Sequence, residues 1–98
     1  MHESPRSEFT LQDVRNHIDR IDHGIVELIA ERQGWVVEAG RLKQDEQAVH
    51  APARVEQVVE AVRRIADEVH ASPTVVEATY RAMIAAFIDL ELDEHRSR

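Results

Sequence analysis

From Leu11 to Leu42 the apolar positions Leu11, Val14, Ile18, Ile21, Ile25, Leu28, Trp35, Ala39 and Leu42 advance in alternating steps of three and four, with one place in the series missing. A spacing near 3.5 residues, held over several heptads, belongs to a helix seam packed against another helix. The missing place is Arg32. Thr10 stands ahead of the run as an N-cap, and Phe9 and Val14 are placed to staple around it. No proline interrupts residues 10 to 43, and Gly24 and Gly40 are isolated enough to be tolerated. One helix is predicted over 10–43, roughly 50 Å long at about 1.5 Å per residue. A compact domain of this size has a radius of gyration of only about 13 Å, so such a helix must project or pair.

Residues 44–51 read as a connector, and Pro52 fits the first turn of a second helix, where its missing N–H costs nothing. Val55, Val58, Val59, Val62, Ile65, Ala66 and Val69 recur at helical spacing, so this helix is amphipathic and ends near His70. Ser72 and Pro73 form an N-cap and first-turn pair for a third helix, running through Tyr80, Met83, Phe87 and Leu90 to about Asp93. Residues 1–9 are expected to be a flexible segment, 10–94 a single helical domain and 95–98 a tail.

Composition agrees with an all-α domain of three helices. Three Gly, three Pro and four aromatic residues occur in 98, against a background of Ala, Val, Ile, Leu, Glu and Arg. A net charge of −7 with scattered cations argues against a nucleic-acid or anionic-membrane surface. There is no cysteine, hence no disulfide or thiol chemistry. The N-terminal stretch lacks the apolar core of a signal peptide and no later run approaches a membrane span, so a cytoplasmic protein is expected.

Four charged residues sit where the helical pattern does not want them. A guanidinium at Arg32 on the seam demands an anion, either an acidic side chain or a ligand. Lys43, eleven residues on, turns to nearly the same face as Arg32, although a cation at a helix C-terminus is also favourable in its own right. Arg54 lies in the first turn of the second helix, where the dipole disfavours positive charge unless the side chain is simply solvated. Glu91 follows Ile84, Phe87 and Ile88 at helical spacing and lands on the apolar strip of the third helix, unless that helix frays before it. Burial there would favour a protonated carboxyl. The six histidines include no pair at the spacing of a helical metal site, and neither a Ser/His/Asp set nor a glycine-rich phosphate loop is present. No metal and no cofactor are expected.

Arg15 in "LQDVRNHIDRIDHGIVELIAER", Arg32 at the end of that stretch, "AGRLK" ending at Lys43, "APARV" carrying Arg54, and Glu91 together resemble the small all-helical chorismate mutases over about residues 10 to 93. The resemblance implies an intertwined helical homodimer and a cationic pocket for chorismate or a closely related dicarboxylate. Arg15 would come from the partner chain. Arg32, Lys43 and Arg54 would bind the substrate, Lys43 and Glu91 would act at its ether oxygen, and Val36, Val55, Phe87 and Ile88 would line the pocket. Geometry agrees with sharing, because Arg15 and Arg32 are 17 residues apart, roughly 25 Å along one helix, and one chain cannot bring both to one small ligand. An antiparallel pairing centred near Ile25 and Val26 would create two equivalent sites.

Many relatives carry Gln at the position of Glu91. An ionised Glu would repel charge developing on the ether oxygen, so Glu91 must be protonated to donate, and an acid-shifted pH optimum is expected. The enteric relatives have acidic residues near the start of the second helix, where this chain has Ala51 and Val55. The connector and "APARV" are also similar to isochorismate-pyruvate lyases, which share the fold. The expected function is therefore chorismate mutase. Isochorismate-pyruvate lyase is the alternative, followed by 4-amino-4-deoxychorismate mutase and a non-catalytic helical dimer.

Overall fold

The computed structural model describes residues 8–97, so the expected flexibility of residues 1–7 lies outside the described part. The described residues are helical and form no strand: α1 (Leu11–Leu42), α2 (Glu46–His50), α3 (Pro52–Glu68) and α4 (Pro73–Arg96). The chain falls into two compact units divided after Gly34, with α1 running through the division.

The first unit holds the leading part of α1. Its start is set by a reciprocal cap: the Asp13 amide donates to Thr10 Oγ1 at 3.0 Å, and the Thr10 amide donates to Asp13 Oδ2 at 3.0 Å. The amide of Thr10 and the hydroxyl beside it hold the Asp13 carboxyl below its ordinary range. Phe9, expected to staple with Val14, sets its ring edge-on to His17 with centroids 5.5 Å apart. Within this chain the seam side chains Leu11, Val14, Ile18, Ile21, Ile25 and Leu28 are exposed, Leu28 to 67%. Six large apolar residues left in water on one helical stripe make an interaction surface of a kind a soluble monomer rarely leaves open.

In the second unit the core lies where α2 and α3 pack on α4. Val49, Val59, Val62, Ala66, Phe87 and Leu92 are buried there. Of the predicted apolar strip on α3, Ile65 and Val69 remain exposed. The end of α3 is closed by His70 in the left-handed region (φ 64°) and by the Ala71 amide donating to the Ala66 carbonyl at 2.8 Å. This is the six-to-one bond of a Schellman ending. Ser72 caps α4 as predicted, accepting from the Val75 amide at 3.2 Å.

Two boundaries correct the reading of the sequence. The connector is not irregular throughout, because Asp45 caps the five-residue α2 by accepting from the Ala48 amide at 2.9 Å. The last helix passes Asp93 and continues to Arg96, so Glu91 lies inside a helix and does not fray. Among the described residues the three expected helices are all present, and one short helix is added to them.

On the outer side of the α3–α4 pair, Arg81 chelates Glu56 at 2.8 and 2.9 Å and also reaches Glu77 at 2.7 Å, while Arg63 meets Glu77 at 2.7 Å. These bonds hold the Glu56 and Glu77 carboxyls below their ordinary range. A carboxylate depressed in the folded state contributes stability that is present above its unfolded pKa and is lost as pH falls through the folded value. The thermal midpoint of the protein should therefore drop between about pH 5 and pH 3 more steeply than that of Arg81→Gln. Parallel slopes for the two proteins would remove the network from the acid response. The groups are exposed, so the difference should be small and should shrink with added salt.

Candidate active site

The end of α1 and the end of α4 bring Lys43 and Glu91 together. Lys43 is the first residue past α1, and its Nζ donates to Glu91 Oε2 at 2.9 Å across a sequence gap of 48. The Glu91 side chain is 7% exposed and that of Lys43 27%, so the carboxyl is enclosed and the lysine only partly so. The apolar strip of α4 carries Glu91 there, with buried Phe87 one turn before it and half-buried Ile88 beside that turn. A carboxylate buried among such groups would be costly without its cation, and the ammonium supplies both the charge and the hydrogen bond.

Two features of this corner were not read from the sequence as functional. Gly40 is buried, and a Cβ built on it would stand 3.1 Å from Glu91 Oε2. The absent side chain is what lets the carboxylate approach the helix. His95, one turn beyond Glu91 on α4, places Nε2 3.3 Å from the backbone carbonyl of Lys43. Next to it Arg96 chelates Glu46 of α2 at 2.8 and 2.9 Å, and this bond chiefly holds the Glu46 carboxyl below its ordinary range. The signal available was spacing: Gly40 precedes Lys43 by three residues, and His95 follows Glu91 by four, so each pair shares a helix face.

The other expected site residues are placed less distinctively. Arg54 is exposed in the first turn of α3 and donates to Gln57 Oε1 at 2.6 Å. Val36 and Val55 are half-buried. Arg15 and Arg32 lie on α1 in the first unit, Arg15 exposed and Arg32 half-buried. Among the described residues no group of three or more acidic or histidine side chains could hold a metal ion, and no helix is long and apolar enough to cross a membrane.

A sequence model described as chorismate mutase type II matches residues 14–92, which include Arg15, Arg32, Lys43, Arg54 and Glu91. The chain belongs to the chorismate mutase type II family. Within that family it is similar to an isochorismate pyruvate lyase of Pseudomonas aeruginosa, with 36% identity over 78 residues covering 80% of this chain and 77% of the relative. It is also similar to a bifunctional chorismate mutase/prephenate dehydratase of Aquifex aeolicus, 33% identical over 85 residues, 83% of this chain but 24% of that much longer protein. The two relatives carry different activities in their names, so membership in the chorismate mutase type II family leaves the substrate to be argued from the site.

Proposed function

We propose that the protein is a chorismate mutase acting as a homodimer, and the observation that carries this reading is the bond between a buried Glu91 carboxyl and a partly exposed Lys43. The rearrangement of chorismate to prephenate breaks the ether C–O bond and forms a C–C bond within one molecule. It needs no nucleophile, cofactor or net proton transfer. What a protein can contribute is a folded substrate and donors aimed at the ether oxygen as negative charge grows there. Lys43 suits that task, and Glu91 joins it when protonated.

In this reading Arg32, Arg54 and Arg15 of the second copy bind the two substrate carboxylates, since planar guanidinium groups match carboxylates in bidentate fashion. Half-buried Val36, Val55 and Ile88 with buried Phe87 would line the pocket. The exposed seam of α1 supports a second copy as its cover. The reading carries with it a cytoplasmic enzyme.

A second reading is supported by the similarity to the Pseudomonas aeruginosa lyase and by Ala51 and Val55 at the start of α3. Here the same pocket would take isochorismate and release salicylate and pyruvate. Purified protein incubated separately with chorismate and with isochorismate decides between them. Prephenate from the first is the expected product. Salicylate with pyruvate from the second, and no prephenate, would move the assignment to the lyase. Turnover of neither would leave 4-amino-4-deoxychorismate to be tried and, after that, the non-catalytic helical dimer.

A further inference from the structure

We infer that His95 is a positioning residue for Lys43, holding the backbone of that lysine while Glu91 holds its side chain. The inference rests on the functional reading above only for its kinetic consequence.

Lys43 sits where α1 stops. Its amide donates back to the Gly40 carbonyl at 3.2 Å, closing the last turn, and its own carbonyl belongs to the helix end, where no further backbone donor follows in register. His95 Nε2 meets that carbonyl at 3.3 Å. A carbonyl oxygen can only accept, so Nε2 must carry hydrogen, in the Nε2–H tautomer or in the imidazolium. Glu91 and His95 are one turn apart on one face of α4, so a single rigid helix grips the residue at two points, Nζ and the main-chain oxygen. Arg96, the next residue, ties Glu46 to the same helix end through two bonds and fixes the chain three residues further along.

Lysine has a flexible four-carbon stem, and one bond at its tip leaves the base of the stem free to shift. Anchoring both ends sets where the ammonium can stand. Rates are sensitive to such placement, since a misplacement of about 1 Å can cost on the order of 100-fold. His95 meets the main-chain oxygen of Lys43 and not its ammonium, so its effect is exerted through Lys43.

The test compares His95→Met, which keeps side-chain length but cannot donate, with His95→Gln, whose amide can. Whichever of chorismate and isochorismate the wild type converts is used at saturation. The expected result is a fall in kcat of about tenfold for His95→Met with KM within about twofold, and recovery to within about threefold for His95→Gln. A purely stabilising histidine would lower the melting temperature of both variants and leave kcat of the folded protein unchanged, which overturns the inference. If His95→Met does not fold, nitrogen-15 spectra of the wild type decide, because a His95 ring protonated only at Nδ1 would exclude the bond. Wild-type protein converting neither compound fails the functional reading separately. In that event exchange of the Lys43 ammonium protons is the readout, and it should quicken in His95→Met but not in His95→Gln. Equal exchange in all three proteins refutes the positioning role.

Discussion

Lys43→Ala lowers kcat/KM for chorismate by about 100- to 1,000-fold while helix content is retained, the range seen when one donor to a developing oxyanion is removed. The substitution removes the only one of the two proposed donors that needs no change of protonation, and it strips Glu91, 7% exposed, of its cation. A modest fall in melting temperature should accompany the loss, because a buried carboxylate without its partner is destabilising. Glu91→Gln should behave differently. Its amide oxygen can still accept from Lys43, and its NH2 donates at every pH, whereas the carboxyl donates only when protonated. Turnover by the Gln variant should therefore equal or exceed that of the wild type. A fall of tenfold or more in Glu91→Gln removes the donor role from Glu91, and a Lys43→Ala loss below tenfold takes Lys43 out of the reaction.

The sequence made these residues visible through local rules, and the same rules explain what stayed hidden. Thr10, Ser72, Pro52 and Pro73 act at fixed offsets from the helices they start, so the long helices could be read with small errors at their ends. Glu91 was legible because a carboxylate at helical spacing from Phe87 and Ile88 has nowhere else to go if the helix continues. The five-residue α2 spans barely more than one turn, too short for a period to emerge, although Asp45 was its cap. Lys43 could be placed on a face, but its partner stands 48 residues away, and His95 a further four. Pairings at that range depend on how α4 packs, which no local pattern encodes. Gly40 was read as a tolerated cost in a helix, when its missing Cβ is the space Glu91 uses. Gly34, also within α1, has nothing within 4 Å of where a Cβ would stand and makes no comparable demand.

Sharing of the pocket between two copies, as proposed, leads to the second large expected effect, a gain of activity from two dead proteins. Arg15→Ala and Lys43→Ala homodimers should each be close to inactive, since every site in either lacks one essential cation. In a mixed dimer one site collects both defects and the other collects none. Equal amounts allowed to exchange subunits give about half heterodimers, each with one intact site of two, and hence about a quarter of wild-type activity. Arg32→Ala mixed with Lys43→Ala is the counter-case, because both residues are assigned to the same chain's contribution and every site in the mixture stays broken. Recovery in the first mixture and none in the second would establish that Arg15 crosses to its partner while Arg32 does not. Equal recovery in both would relocate Arg32 to the partner's site. No recovery in either, with heterodimers demonstrated by mass, would assign Arg15 to its own chain's site or to a structural role beside the seam of α1, where Leu11, Val14 and Ile18 already give a second helix reason to dock.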